Sequence, residues 1–345
     1  MALRWINSGI AHYVDGYYGD SGNKYLAPLD PSSGYNKVFD HHSLKDYIRH
    51  ERVTIVIPLL DALDYFKKCL ESLIKFTQNY ELIIIDNGSD NNTKEYLLEC
   101  KKEFGFKLQT NENNMGFGYA CNQGIKLATS GYICFLNSDT VLTPNWLGKL
   151  MKGFNQPNAG ILGPSTCYSG GRQNLTGLME KRFSMGLADI VGCSLQLKEE
   201  YTETEIFGFC YLVKREVIDK LGGFDYKSFG FGNYEESDFN HRARLAGYKT
   251  YCAKGAYVHH YGSITFESAG ISQNKLMREN ISKLKEAKKL GKVYVENDVK
   301  IDNDEKIDVI IPVLDRKEET IKTLESLILR NKNINILIIT IIQTI

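Results

Sequence analysis

The sequence carries no CxxC pair, no His/Cys spacing typical of a metal site, no apolar run long enough to cross a bilayer and no excess of either charge. Each absence excludes something. Lys+Arg and Asp+Glu both number 42, so no overall basic field draws the chain to nucleic acid or to an anionic membrane. The longest apolar stretch, residues 334–345, is interrupted by Asn335, Thr340, Gln343 and Thr344 and falls far short of the roughly 20 residues of a spanning helix. Residues 1–10 contain no apolar run of signal-peptide length. The eight cysteines are scattered, as reduced thiols in the cytoplasm are. This predicts a cytoplasmic protein with at most peripheral association at the inner face of the membrane. What is present is a chain of 345 residues, 43% apolar and 24% charged, which suits one large α/β domain with additions.

Residues 1–50 differ from the rest. Tyr17-Tyr18-Gly19-Asp20-Ser21-Gly22 and Asp30-Pro31-Ser32-Ser33-Gly34 read as turns and short strands, an extension with no assignable role. At Val53 the pattern changes. Val53-Thr54-Ile55-Val56-Ile57 is a short β-branched run, as a strand buried on both faces should be, and Pro58 is expected to end it. Residues 61–77 read as a helix, Leu82-Ile83-Ile84-Ile85 as a strand, 93–104 as a helix, 122–128 as part of a third, and Tyr132-Ile133-Cys134-Phe135-Leu136 as a strand. This alternation predicts an α/β fold with a mostly parallel sheet flanked by helices and right-handed crossovers. Ligands bind beyond the carboxyl ends of such strands, where Asp86-Asn87-Gly88-Ser89 and Asn137-Ser138-Asp139 stand.

The second half is less regular. Residues 163–177 are Gly-rich and polar, and the chain to Glu205 shows no clear period. Residues 207–213 read as a strand, 236–246 as a helix stopped by Gly247, and 272–290 as a Lys-rich amphipathic helix stopped by Gly291. The last segment is a repeat: residues 307–328 match 53–74 without a gap, and 336–339 parallel 82–85. The predicted organisation is an extension (1–50), a main domain (51–270), a helix and linker (271–300) and the start of a second, similar module (301–345).

Several short motifs fall in a telling order: Ile-Pro at a strand end, Ile-Asp-Asn-Gly-Ser, Asn-Met-Gly-Phe-Gly-Tyr-Ala-Cys-Asn, Leu-Asn-Ser-Asp-Thr, Gly-Gly-Phe-Asp, Tyr-Glu-Glu-Ser-Asp-Phe and Val-His-His. In this order they resemble the family 2 glycosyltransferases, which have the GT-A fold. The resemblance implies that Asp86 hydrogen-bonds a nucleotide base beside Pro58 and Asn87, that Asn114 and Gly116 form the donor loop, and that Asn122 faces the donor. It places Asn137, Ser138 and Asp139 at the family's DxD position, with Asn137 in place of the first Asp. Asp139 and His260 then become ligands of Mn2+ or Mg2+, a hard cation that bridges a diphosphate. Glu236 falls on the base position, Glu standing where relatives have Asp, and Asp238 is the second choice. Like-charged Glu235 and Asp238 are expected to raise the base above the ordinary pKa of about 4.3.

Each residue also has a plainer reading. Asp86 suits an Asx-turn or helix cap, Asn114–Gly116 an ordinary turn, and Asp139 a cap for the turn at Thr143-Pro144. The carboxylates 235–238 suit the positive end of a helix. Arg242 suits either an orienting role or a surface ion pair, and His260 a surface or core histidine. His259 is expected on the opposite face.

The resemblance implies transfer of a sugar, with inversion, from a nucleoside-diphosphate sugar, UDP-linked by expectation, to a hydroxyl of a glycan or lipid-linked glycan. No Gln-x-x-Arg-Trp motif of processive relatives is present. Residues 163–205, Trp146 and 229–233 are expected on the acceptor side, with 261–270 as a loop over the donor. Two alternatives stay open: an inactive nucleotide-sugar binder, and a sugar nucleotidyltransferase. The second lacks support, because Pro58-Leu59-Leu60-Asp61 offers no glycine or basic residue for a phosphate loop.

Overall fold

A computed structural model describes residues 48–175, 177–264, 270, 272–290, 307–313 and 334–340. The turns expected within 1–47, the linker after 290 and the middle of the expected donor loop, 265–269, lie outside the described residues. The chain divides into two units, Met1–Glu296 and Asn297–Ile345.

In the first unit the strands are β1 (Val53–Leu59), β2 (Tyr80–Asp86), β3 (Lys107–Thr110), β4 (Tyr132–Leu136), β5 (Thr140–Val141), β6 (Ala159–Ser165), β7 (Tyr201–Glu203), β8 (Cys210–Lys214), β9 (Lys249–Tyr257) and β10 (His259–His260). The helices are α1 (Leu63–Phe76), α2 (Asn91–Phe104), α3 (Phe117–Leu127), α4 (Trp146–Lys152), α5 (Leu187–Gln196), α6 (Arg215–Leu221), α7 (Tyr226–Phe229), α8 (Glu235–Leu245) and α9 (Gln273–Leu290). Eight strands form one sheet in the order β3-β2-β1-β4-β8-β6-β9-β7, and β5 and β10 form a separate ribbon. β1 pairs in parallel with β2 and β4, while β8 runs antiparallel between β4 and β6.

The sequence alternation explains the layers. Ile55, Ile57, Leu82, Ile84, Cys134 and Leu136 join Phe66, Leu70, Leu73, Leu97 and Trp146 in one buried cluster. Their neighbours Val56, Ile83, Ile85, Ile133 and Phe135 join Ala120, Val217, Phe239 and Ala243 in the other. Successive residues thus bury on opposite faces, as a pleated strand requires. α3 lies close on the second face: a Cβ on Gly124 would sit 2.2 Å from Val56 Cγ1, so only glycine fits. At α2, Asp90 caps the helix by accepting from the Thr93 N–H at 2.7 Å.

Two features depart from the sequence reading. Pro58 does not end β1; it lies inside it, paired opposite Ile85. β1 pairs with β4 only from Val53 to Val56, so Pro58's missing N–H falls where no partner strand remains. The Gly-rich stretch from 163 begins inside a strand, since β6 is buried throughout. A Cβ on Gly163 would lie 2.5 Å from Ile206 Cγ2, so this glycine marks tight packing, not a loop. A helix, α5, also occupies part of the segment that showed no period.

In the second unit, β11 (Ile307–Val313) and β12 (Ile334–Thr340) pair in parallel. Their register, Ile307↔Ile334 through Val313↔Thr340, repeats residue for residue that of Val53↔Tyr80 through Leu59↔Asp86.

One polar cluster fixes the amino ends of β1, β2 and β4. Glu81 accepts from the Thr54 hydroxyl (2.7 Å) and from Thr129 N (3.1 Å) and Oγ1 (2.9 Å), and pairs with Lys107 at 2.7 Å. Burial pushes this carboxyl up, but the bonds from Lys107, Thr54 and Thr129 win and hold it down at about 2. A folded-state pKa below the ordinary value of 4.5 stabilises the fold above that value and is lost as pH falls toward 2. Urea unfolding between pH 5 and 2 should therefore show a stability loss of a few kcal/mol in the wild type, and Glu81→Gln should lack this component (pH window set by the shift, ~2 to ~5).

Candidate active site

A cavity of about 500 Å³ opens at the carboxyl ends of β1 and β4. Three parts of the chain line it: first Pro58, Asn87 and Asn114, then Asn137, Ser138, Asp139 and His260, and last Phe207, Glu235 and Glu236.

In the first part a ladder of amides sets the loop before α3. Asn87 donates to Asn114 Oδ1 (3.0 Å) and accepts from the Met115 N–H (3.1 Å). Asn111 donates to both Asn87 Oδ1 and Gln123 Oε1, each at 2.9 Å. Gly116 has φ 89°, and a Cβ there would lie 2.4 Å from the Gly230 carbonyl oxygen, so the turn needs glycine. Gly116 itself does not line the cavity. Asn111 and Gln123 escaped the sequence reading because each acts only through its neighbour.

Asp86 is fully buried and does not line the cavity. Its Oδ1 accepts from the Ser89 N–H at 2.9 Å, the Asx-turn of the plainer reading. Its Oδ2 is buried without a partner among the described residues. Asn122 departs further from expectation. Its amide donates to the Phe224 carbonyl (2.8 Å) and accepts from the Phe224 N–H (2.9 Å), so both polar atoms are spent on the Gly-Gly-Phe turn. It locks α3 to that turn and does not face the cavity.

In the second part, a two-residue ladder brings distant chain segments together. His260 pairs opposite Thr140 and His259 opposite Val141. His260 Nε2 thereby lies 3.3 Å from Asp139 Oδ1 and 3.4 Å from Asn137 Nδ2. The ring stacks on Phe209 with centroids 4.9 Å apart. Its Nδ1 donates to the Tyr168 carbonyl (2.8 Å), so in the neutral ring Nε2 bears a lone pair. A carboxylate oxygen and an imidazole lone pair then face each other, a donor set that a divalent cation fits. Without a cation between them the pair behaves differently: burial pushes the Asp139 carboxyl up, but the charge and Nε2–H of a protonated His260, with backbone N–H groups, outweigh burial and hold it below the ordinary range. Asp139 does not cap the turn at Thr143-Pro144 through any bond seen here. No cluster of three or more His, Cys, Asp or Glu suited to a metal occurs among the described residues. His259 turns to the opposite side, as expected, and contacts the Arg182 carbonyl (2.9 Å) and the Tyr257 hydroxyl (3.1 Å). Burial holds it down at about 4.

In the third part the three carboxylates of α8 divide. Glu236 lines the cavity, and burial followed by the charge of Glu205 raises it to about 6, against hydrogen bonds from the backbone of Gly208 and Tyr234. The expected direction holds, with burial first and Glu205 beside it; the like charge of Glu235 is shared between the two neighbours, and Asp238 is not among the causes. Glu235 also lines the cavity; it is 2% exposed and its Oε2 has no partner among the described residues. Burial, then the charge of Glu236, holds it well above the ordinary range. Asp238 points elsewhere. It pairs with Arg242 at 2.7 Å, both nearly fully buried, and does not line the cavity. Arg242 also donates to the Leu221 (2.9 Å) and Gly223 (3.0 Å) carbonyls. The pair is a buried tie between α8 and the Gly-Gly-Phe turn, so Asp238 is placed as a structural residue.

The acceptor-side expectations divide too. Tyr168, Ser169, Gly170 and Met179 from 163–205, with Phe231 and Asn233, line the cavity, but Trp146 is a core residue whose Nε1 donates to Thr77 Oγ1 at 3.0 Å. The sequence reading missed Phe207, and Gln273, Asn274 and Met277 of α9, which line the cavity from the segment read as an amphipathic helix and linker; it also gave Tyr168 no role toward His260, whose Nδ1 donates to its carbonyl.

Residues 54–222 match the sequence model of glycosyl transferase family 2. This region of the chain belongs to that family. Among curated relatives, the uncharacterised glycosyltransferase YibD of Escherichia coli is 34% identical over 101 residues, 29% of each chain. The O-antigen biosynthesis protein RfbC of Myxococcus xanthus is 24% identical over 226 residues, 61% of this chain and 17% of the relative. The uncharacterised protein y4gI of Sinorhizobium fredii is 25% identical over 231 residues, 61% of this chain and 24% of the relative. The chain thus spans less than a third of the length of these relatives. Among solved structures, the mannosyltransferase PcManGT from Pyrobaculum calidifontis, crystallised with GDP-Man and Mn2+, matches with a TM-score of 0.51 at 14% identity, covering 82% of this chain and 76% of that one. The fold is GT-A, as the motif order implied.

The buried pair gives a test of placement. Asp238→Ala leaves Arg242 charged and buried, and should cost about 3–5 kcal/mol of unfolding free energy in urea. A loss no larger than that of an exposed-site control would contradict the structural role of Asp238.

Proposed function

We propose that this protein transfers a sugar from a nucleoside-diphosphate sugar to an acceptor hydroxyl with inversion at the anomeric carbon. The observation that carries the reading is convergence: Asp139, His260 and Glu236, far apart in the chain, line one cavity at the carboxyl ends of the strands. The nucleotide is assigned to Pro58, Asn87 and Asn114, with Asp86, buried beneath the cavity wall, holding the turn that presents Asn87 through the Ser89 N–H. Asp139 and His260 would hold Mn2+ or Mg2+, which supplies positive charge against the diphosphate leaving group. Glu236 takes the proton of the acceptor hydroxyl as its oxygen bonds to the anomeric carbon and the bond to the diphosphate breaks. One displacement with one base gives inversion. A carboxyl at about 6 suits this role near neutral pH, being mostly ionised yet more basic than a free glutamate.

The acceptor is proposed as a glycan or lipid-linked glycan. Support comes from the similarity to an O-antigen biosynthesis protein. No described helix is long and apolar enough to cross a membrane. We also infer that residues 301–345 begin a second module of the same kind; the repeated strand register supports it. The reading of a donor binder without activity draws on Asn137 at the first DxD position and becomes an outcome of the test.

The test is a donor screen that measures free UDP, GDP and dTDP with Mn2+ or Mg2+. Turnover is expected with at least one donor. kcat/KM should fall as pH drops below about 6, because protonated Glu236 cannot accept a proton. Glu236→Gln should lower kcat by about 10²-fold or more and abolish that limb. Asp139→Ala should weaken the metal dependence. Wild-type rates in both variants would overturn the assignment, and donor binding without turnover would favour the inactive binder.

A further inference from the structure

Helix α9 lies beyond the residues matched by the family model, yet it packs against α7 and α8. Between α7 and α8 the chain makes a sharp turn with four left-handed residues: Gly230 (φ 63°), Gly232 (142°), Asn233 (69°) and Tyr234 (76°). Left-handed backbone is unfavourable for a bulky residue such as Tyr234 and persists only where the surroundings impose it. Here they do. Asn280 of α9 is 1% exposed, and its Nδ2 donates to the carbonyls of Phe229 (2.8 Å), Gly232 (2.8 Å) and Asn233 (3.3 Å). Lys283 Nζ donates to Asn280 Oδ1 at 2.9 Å and fixes which way the amide points. Without Asn280, three inward carbonyls would have no donor.

This turn controls two parts of the cavity lining. It leads directly into Glu235 and Glu236 at the start of α8. On its other side the Phe231 carbonyl accepts from the Phe117 N–H at 3.2 Å, where the donor loop enters α3. Gln273, one end of the same helix, accepts from Ser263 Oγ at 2.6 Å and donates to Asn233 Oδ1 at 3.4 Å.

We propose that Asn280 is a positioning residue, which holds the 229–234 turn so that Glu236 and the donor loop keep one fixed separation. The inference rests on the glycosyltransferase reading and extends it to a helix outside the matched domain. A base displaced by about 1 Å loses on the order of 10²-fold in rate, although nothing that touches substrate has changed.

The experiment compares wild type, Asn280→Ala, Asn280→Ser, Lys283→Met and Glu236→Gln across pH, with diphosphate release as the readout and urea unfolding as the check on folding. Asn280→Ala should lower kcat by about 10²-fold with donor KM changed far less, and should shift the acid limb near pH 6. Asn280→Ser keeps one hydroxyl donor and should fall between. Lys283→Met should give a smaller loss in the same direction. A wild-type limb that Glu236→Gln removes, but that is unchanged in position and height in the folded Asn280 variants, would overturn the positioning role alone. Should those variants fail to fold, an unchanged Lys283→Met profile would overturn it. Absence of diphosphate release in the wild type with every donor would instead overturn the glycosyltransferase reading, and this inference with it.

Discussion

The structure depends on where β1 and β4 part. They are bonded only from Val53 to Val56, and beyond that point β1 continues with a proline that cannot donate a bond on the open side. Two parallel strands held together below and separated above leave a cleft between their carboxyl ends. The residues proposed to carry chemistry hang from its edges: Asn87 after β2, Asn137–Asp139 after β4, and Glu235–Glu236 at the start of α8. The clip of Thr54, Glu81 and Thr129 holds the lower ends in register, so the upper ends are placed by the sheet and not by the loops.

Within that cleft, burial sets the charge states. Asp139 and Glu236 are both carboxylates in a partly desolvated site, yet they move in opposite directions. Asp139 has an imidazole and backbone donors beside it and stays low; Glu236 has another carboxylate, Glu205, nearby and rises to about 6. Opposite environments suit opposite tasks, one group to hold positive charge and the other to take a proton. Asp238, two residues further along α8 and so on another face, shows the third outcome: the buried partner Arg242 turns a candidate base into a structural pair.

Much of this was legible in the sequence, for a physical reason. Strands buried on both faces must read as continuous β-branched runs, and the polar residues that end them stand out, so β1, β2, β4, Asp86 and Asp139 could be read directly. The glycines of β6 misled, because glycine serves tight packing as well as turns. Asn122 and Asp238 could not be separated from cavity-facing residues by pattern alone, since their partners are the Phe224 main chain and Arg242. Asn280 was invisible for the same reason: its partners are carbonyls, which every residue has. The histidine pair was readable as to face from strand alternation, whereas its neighbour Asp139 came only from the resemblance, because it is the short β5–β10 ribbon that brings the two together.

The central claim is that one bound donor spans the cavity from Asn87 to Glu236. The most direct test is a crystal structure of the Glu236→Gln protein with a nucleoside-diphosphate sugar and Mn2+. The account predicts the base beside Pro58 and Asn87, the metal on Asp139 and His260, and the anomeric carbon open to the side chain at position 236. A nucleotide bound elsewhere, or a diphosphate out of reach of both Asp139 and His260, would contradict it.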